Sequence, residues 1–353
     1  MKKILFIANS DRHIKLCHIP YMQLFQENGY KVHVITNTDE KIKCCDKKYS
    51  VNFKRNPFKI QNFISIFKVR KIIKEQGYSI LSCHTPVGGF LGRCSCIGLK
   101  NKPVILYTAH GFHFYKGSSK IYWILYFTLE KFLSRFTNAV ITMNKEDYDI
   151  ASKKFHCDVY KTNGIGLIDS RLKLTNKNIR KELKLENKYI VTFVAEISKR
   201  KNQIKFLKVL KKHEVDKDIH FVLVGDSNIN NFDKMVSKYD NVTYVGFVDN
   251  VGDYINASDL IFSPSIQEGL PQNILEALYF NKMVIALNIR GNRDLINKNN
   301  GILVNNLDEL IDEVVKYKNS KPKKINNNID KYKINHVIKE YNKIINNYID
   351  DIK

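Results

Sequence analysis

The chain has 353 residues, 44% of them hydrophobic, and a formal net charge of +23 at pH 7. That length and apolar content suffice for two domains of ordinary size, each with its own core. Nothing in the sequence approaches the ~20 consecutive apolar residues of a membrane-spanning helix, which argues against a helical span.

Taken from the start, the apolar run Ile4–Ala8 predicts a first β-strand. Met1–Ala8 is too brief for the apolar core of a secretory signal, and no small-residue cleavage site follows it. An amphipathic stretch around Ile19–Glu27 leads through Gly29 to a second strand at Val32–Ile35. Ile60–Lys74 repeats apolar residues at helical spacing and ends before Gly77. Further strands are predicted at Ser79–Cys83, Val104–Thr108 and Ala139–Thr142. The strongly apolar stretch Ile121–Phe136 reads as a core helix. Strand–helix alternation of this kind argues for a doubly wound parallel sheet. Asn163–Gly166 is a turn-rich break. The alternation then restarts, with strands at Ile190–Val194, His220–Val224, Val242–Val245, Leu260–Phe262, Val284–Ala286 and Gly301–Val304. Two successive open sheets imply two Rossmann-like lobes with a cleft between them, and ligands bind at the carboxyl ends of such strands. Lys321–Asn328 reads as a polar linker. The last segment, Tyr332–Ile352, gathers Ile334, Val337, Ile338, Tyr341, Ile344, Ile345, Tyr348 and Ile352 on one helical face, suited to packing across the lobes. The predicted division is residues 1–165, 166–331 and a closing helix over 332–353.

Charge and cysteine usage narrow the surroundings. Residues 1–165 carry 27 Lys and Arg against 11 Asp and Glu, which is 16 of the net 23 positive charges. From Lys47 to Lys74 there is no acidic residue, and the run also carries Phe58, Phe63 and Phe67. A basic, aromatic-bearing surface suits anionic lipid headgroups, or less readily nucleic acid. There are seven cysteines and no C-x-x-C pair. Cys44–Cys45 and Cys94–Cys96 are spaced too tightly to form a zinc knuckle by themselves, so they read as reduced cytosolic thiols.

The stretch Ser263–Leu278 carries the chemistry. Leu260–Phe262 is a buried-strand run, Gly269 and Pro271 punctuate a loop, and Ile274, Leu275 and Leu278 recur at helical spacing. Strand, tight loop and helix N-terminus together place free N–H groups and the positive end of a helix dipole at the edge of a sheet, a ready anion site. Glu268 and Glu276 frame it. A carboxylate beside an anion site is costly unless hydroxyls donate to it, and a sugar supplies hydroxyls. Phosphate-binding amides beside hydroxyl-binding carboxylates point to a nucleotide-sugar. No G-x-G-x-x-G follows any strand, so a dinucleotide-dependent oxidoreductase is set aside despite Gly225-Asp226 after a strand.

Glu268 and Glu276, with seven residues between them, resemble the E-x7-E motif of retaining family-4 glycosyltransferases. Other motifs agree in order. Phe193–Gln203 resembles that family's phosphate-contacting loop. His84–Arg93 and Tyr107–Gly117 resemble first-lobe signatures of the subgroup that builds capsular, exopolysaccharide and other lipid-linked glycans. Asn163–Ile165 resembles the entry to the second lobe, and Asn292–Asp294 also fits. The resemblance spans nearly the whole chain and implies the GT-B fold: two Rossmann-like α/β lobes with parallel sheets facing a cleft, and a C-terminal helix crossing back.

By that resemblance, Lys201 meets the donor diphosphate and stabilises the departing charge, with Lys199 and Arg200 adjacent. Many relatives carry Gly-Arg just after this strand; here Ala195-Glu196 stands there, and Arg200 is the substitute. Glu276 accepts hydrogen bonds from the ribose, Glu268 binds the transferred sugar, and the loop at Gly269, Leu270 and Pro271 meets phosphate or sugar oxygens. His110 contacts the donor sugar or the transition state, with His113 a weaker candidate in the same loop. The expected catalytic set is His110, Lys201 and Glu268. His84 and Thr85 are expected on the acceptor side, with His13 and His18 in a loop, Asn9–His13, where many relatives have Gly-Gly. No metal or other cofactor is expected, because Lys201 and Arg200 replace one. The implied donor is a UDP-sugar and the implied acceptor a polyprenyl-diphosphate-linked saccharide at the inner, cytoplasmic face of the membrane, with an anionic membrane surface and no nucleic acid as partner. The alternatives are a GT-B nucleotide-sugar 2-epimerase and a non-enzymatic basic nucleic-acid-binding protein; no stacking-aromatic or major-groove motif supports the latter.

Overall fold

A computed structural model describes residues 2–54, 56–320, 325 and 327–349. Most of the expected Lys321–Asn328 linker, and Ile352 of the expected closing helix, lie outside the described residues. The chain divides into two compact units, one of Met1–Gly166 with Ile334–Lys353 and one of Leu167–Lys333.

The first unit holds seven strands: β1 (Lys3–Ile7), β2 (Lys31–Thr36), β3 (Lys47–Ser50), β4 (Ile80–His84), β5 (Val104–Ala109), β6 (Ala139–Thr142) and β7 (Asp158–Lys161). They form one sheet in the order β3-β2-β1-β4-β5-β6-β7, every neighbour parallel. The second unit holds β8 (Tyr189–Val194), β9 (Ile219–Val224), β10 (Val242–Gly246), β11 (Leu260–Ser263), β12 (Val284–Leu287) and β13 (Gly301–Val304), in the order β10-β9-β8-β11-β12-β13, also all parallel. Both are Rossmann-like sheets. In each, the chain winds outward one way from its first strand and then returns to that strand's other side. The reversals fall at β1/β4 and β8/β11, where the carboxyl ends of the strands open a crevice for ligand.

All six strands expected in the second unit are present, but β3 and β7 were not legible. They are the two edges of the first sheet, with sequences KKYS and DVYK and no fully buried residue. An edge strand only partly covered has less need of the apolar run that marks β4, whose five residues are all buried.

Helices cover the sheets. Arg93 of the helix Pro86–Cys96 is fully buried; its Nη1 lies 2.7 Å from Glu130 Oε2 and its guanidinium stacks 4.0 Å from the ring centroid of Tyr107 on β5. The Ile121–Phe136 stretch departs from the expected core helix. It runs as helical turns over Lys120–Tyr122, a π-helical turn over Trp123–Phe127 and an α-helix over Thr128–Ser134. Trp123, Tyr126, Phe127 and Leu129 pack on the core, whereas Ile121, Tyr122, Ile124, Leu125 and Phe132 are exposed. Apolar composition all round a helix does not reveal which side lacks a neighbour. The helix Ile60–Gln76 and the loop before it likewise expose Phe58, Ile60, Phe63, Ile64 and Phe67. The ring of Phe58 lies 6.2 Å from that of Tyr126, which joins the two exposed faces. Among the described residues, no helix is long and apolar enough to cross a membrane.

The closing helix spans Ile334–Asn346 and buries Val337, Tyr341, Ile344 and Ile345. Tyr341, Ile344 and Ile345 share a cluster with Phe6, Tyr21 and Phe25 of the first unit. The ring of Tyr341 stands edge-on to Tyr21 at 4.9 Å, and Glu340 Oε1 accepts from Asn163 Nδ2 at 2.7 Å.

Candidate functional site

In the second unit the candidate residues sit at the β8/β11 reversal. After β8 the chain turns through Ser198–Asn202 into the helix Gln203–Leu210. After β11 it turns through Pro264–Pro271 into the helix Gln272–Tyr279. The two turns are laced together: Ile266 N donates to Arg200 O at 3.0 Å, and Asn202 Nδ2 to Pro264 O at 3.0 Å. Two glycines allow neighbouring loops to close in. Gly225, at φ +144°, lies so near Ala195 that a Cβ would meet its carbonyl oxygen at 2.1 Å; Gly291, at φ +82°, would meet Gly269 O at 2.4 Å. No other residue fits either place. Close packing therefore explains Gly225-Asp226 without any dinucleotide.

This lacing brings Lys201, Arg200 and Glu268 together. Lys201 Nζ lies 2.6 Å from Glu268 Oε1, and Arg200 Nη1 lies 3.1 Å from Glu268 Oε2. Glu268 is only 6% exposed. Burial pushes its carboxyl up, but the charges of Lys201 and Arg200 outweigh this and hold it below its usual value, so it is a buried carboxylate. Arg200 also pairs with Glu196 at 3.2 Å, while Lys199 is exposed. Glu196 thus helps to hold Arg200 in place.

The helix Gln272–Tyr279 begins directly after Pro271, its N-cap. Pro271 therefore sits one place before the first turn to which its missing N–H suits it. The first N–H groups of any helix lack intrahelical acceptors. Here Gln272 Nε2 and both polar atoms of the Asn273 amide are also buried without a partner. Glu276 lies on the same helix, half-buried, a little over one turn in. Arg290, buried after β12, donates through Nε to Glu268 O at 3.0 Å. The sequence reading missed the Gln272, Asn273 and Arg290 side chains. Arg290 carries a legible signal, since it follows a strand and precedes the Asn292–Asp294 motif.

In the first unit four imidazoles meet at the β1/β4 reversal. Asp11 fixes the loop after β1. It is fully buried and accepts from Thr36 Oγ1 at 2.5 Å, Thr38 Oγ1 at 2.7 Å and Glu40 N at 2.7 Å, and it pairs with Lys48 Nζ at 2.8 Å. Burial pushes its carboxyl up, and these partners more than reverse that, to about 2. His13 and His18 are five apart, about 140° around a continuous helix. The helix Asp11–Cys17 breaks at His18, and Pro20 enters the next helix, Ile19–Glu27. The break turns the two rings together, with His18 Nε2 at 3.2 Å from His13 Nε2. His110, just past β5, brings its Nε2 to 3.3 Å from His13 Nε2. His84, the last residue of β4, is buried beneath: its ring centroid lies 3.7 Å from that of His18, Ser82 Oγ lies 2.9 Å from its Nε2, and its Nδ1 has no partner. Burial pushes His13 down to about 4 and the other three well below the usual imidazole value, with mutual repulsion adding to the shift, so all four are neutral at pH 7. Thr85 has φ +62°, a strained value for a β-branched residue. Its hydroxyl accepts from Asn9 N at 3.2 Å and caps the next helix at Gly88 N. His113 stacks on Tyr126 at 4.6 Å, beside the exposed apolar face.

Comparison with known proteins agrees with both halves. Residues 3–144 match the family described as glycosyl transferase 4-like, and residues 175–336 match glycosyl transferases group 1. The putative glycosyltransferase EpsD of Bacillus subtilis is 34% identical, covering 86% of this chain and 83% of that protein. A UDP-Gal:alpha-D-GlcNAc-diphosphoundecaprenol alpha-1,3-galactosyltransferase of Escherichia coli is 29% identical, over 82% and 80%. Among solved structures, Anabaena HepE in complex with UDP and glucose shares the fold, with a TM-score of 0.79 at 17% identity, over 98% of this chain and 100% of that one. The chain belongs to the glycosyltransferase family that these relatives define. Its two parallel-sheet units are those of the GT-B fold, and it is a glycosyltransferase enzyme.

Proposed function

We propose that this glycosyltransferase takes its sugar from a UDP-sugar bound by the Leu167–Lys333 unit and passes it, with retained anomeric configuration, to a polyprenyl-diphosphate-linked saccharide in surface polysaccharide assembly. The observation that carries the reading is the Lys201–Glu268–Arg200 group at the β8/β11 reversal, beside a helix start whose Gln272 and Asn273 amides lack partners. Cations, unfilled N–H donors and a buried carboxylate in one place suit a ligand that offers a diphosphate and hydroxyls together. The named specificity of the Escherichia coli relative and the UDP and glucose of the HepE complex support the donor and acceptor classes.

On this reading Lys201, Arg200 and the backbone N–H groups of Gly269 and Leu270, in a loop shaped by Pro271, stabilise the departing diphosphate, so that no metal is needed there. Glu276 accepts from the ribose and Glu268 from the transferred sugar. A leaving phosphate oxygen takes the acceptor hydroxyl's proton on the face of attack, so no side-chain nucleophile is required. His110 approaches the sugar as a neutral hydrogen-bonding group, and His13, His84 and Thr85 shape the acceptor side. The exposed Phe58, Phe63, Phe67, Ile121 and Ile124, in a unit with most of the positive charge, support docking on anionic lipid at the inner membrane face. Nucleic acid is not a partner on this reading.

A panel of nucleoside-diphosphate sugars tested for thermal stabilisation checks the donor class. A UDP-sugar is expected to raise the melting temperature and sugar-free UDP to raise it less; no response to any member refutes the reading. The anomeric configuration of the product, read by NMR, checks retention. Sedimentation with anionic and neutral vesicles at low salt checks docking, and equal recovery with both refutes it.

A further inference from the structure

The imidazoles of the first unit crowd three ring nitrogens onto one point. His13 Nε2 lies 3.2 Å from His18 Nε2 and 3.3 Å from His110 Nε2. A nitrogen of a neutral imidazole is either an N–H donor or a lone pair, never both. If His13 Nε2 carries the hydrogen, one N–H faces two acceptors. If it carries the lone pair, it accepts from one ring and meets the other unsatisfied. Three lone pairs turned toward a common point are satisfied together by a cation placed between them.

The spacing fits such a cation. One nitrogen from each of His13, His18 and His110 lies within 4.8 Å of the others. A tetrahedral zinc-type ion at its usual nitrogen distance holds its ligand atoms about 3.3–3.4 Å apart, and two edges of the triangle, at 3.2 and 3.3 Å, already match. Neighbouring side chains help to fix two of the rings. His13 turns its other nitrogen toward Cys17 Sγ at 4.0 Å, and His18 rests on the ring of His84.

We propose that His13, His18 and His110 form a site for one divalent transition ion of the zinc type. Three imidazoles without a carboxylate favour such an ion over magnesium or calcium, which require oxygen. His18 is buried while His13 and His110 keep partial exposure, so the site opens on one side. A fourth coordination position is thereby left for water or another small oxygen or nitrogen ligand. The site lies wholly in the first unit; it shares His13 and His110 with the proposed transfer site, so it is tested by metal binding and not by activity.

Cobalt(II) titration of the reduced full-length chain tests this. One ion per chain is expected, with the intense visible absorption of tetrahedral cobalt, no thiolate-to-cobalt charge-transfer band, and displacement by one equivalent of zinc. His13→Asn and His18→Asn should each weaken binding by more than the ~10-fold that loss of even an outer-sphere partner costs. His33→Asn, at a buried imidazole bonded to Tyr78 instead, should leave binding unchanged. Should the buried His18 variant fail to fold, the partly exposed His13 variant carries the test alone. Absence of binding, a thiolate band, or undiminished binding by His13→Asn overturns the proposal.

Discussion

Replacing Lys201 by alanine separates the proposed roles of the donor-site residues. The Lys201 side chain is 11% exposed and its ammonium lies 2.6 Å from Glu268, so its charge acts in a medium poorer than water. At an effective dielectric near 20, a unit charge ~4 Å away is worth about 4 kcal/mol. The donor diphosphate must share this cation with Glu268, and only the charge gained on departure counts toward rate. Loss of one fixed donor to a developing anion costs about 3 kcal/mol, which is ~100-fold in rate. The expected result is a ~100-fold lower kcat, a KM for the donor within a few-fold of the parent, and partial recovery in Lys201→Arg. Steady-state transfer to a polyprenyl-diphosphate-linked saccharide measures this, with thermal unfolding confirming that Glu268 is still accommodated by Arg200. A raised KM with unchanged kcat, or no change in either, refutes the assignment.

Glu276→Ala is expected to do the reverse, weakening donor binding ~10-fold or more through lost hydrogen bonds to a charged acceptor while changing kcat little, as calorimetry and kinetics would show. Glu130→Ala leaves Arg93 buried without its counter-charge and should cost about 3–5 kcal/mol, read as a lower urea midpoint; replacing both partners by apolar residues of similar volume should cost much less. Asp11, fully buried and held at about 2 against an ordinary 3.8, stabilises the fold above pH ~4, and that contribution is lost as pH falls through about 2. Asp11→Asn should therefore remove about 2 kcal/mol at pH 7 and flatten the acid limb of the stability profile between pH 4 and 2.

Much of this molecule can be read from its sequence, and each exception has a physical cause. The interior strands β1, β2, β4, β5, β6, β8, β9, β11 and β12 are mostly buried, so burial writes an apolar run into each. β3 and β7 lie at edges, where Lys47 and Asp158 cost nothing. Lys201, Glu268 and Glu276 were legible because each follows a strand or starts a helix at a fixed offset. The Lys201–Glu268 ion pair was not, because 67 residues separate partners that only the lacing of two loops brings together. The same holds for His13, His18, His84 and His110: each stands near a strand end in the sequence, but no spacing announces that Pro20 and the break at His18 fold two of the rings onto the other two. The exposed faces at Phe63 and Ile124 were hidden for another reason, since composition records how apolar a helix is and not which neighbour it lacks.

The return of Ile334–Asn346 to the first sheet also constrains the order in which the protein matures. Phe6 and Tyr21 are translated before the Leu167–Lys333 unit, yet the surface that seals them includes Tyr341 and Ile345, which are translated only after the whole of that unit. The half that is made first is thus finished last. During synthesis its flank stays open until then, while the Leu167–Lys333 unit already has every residue it requires.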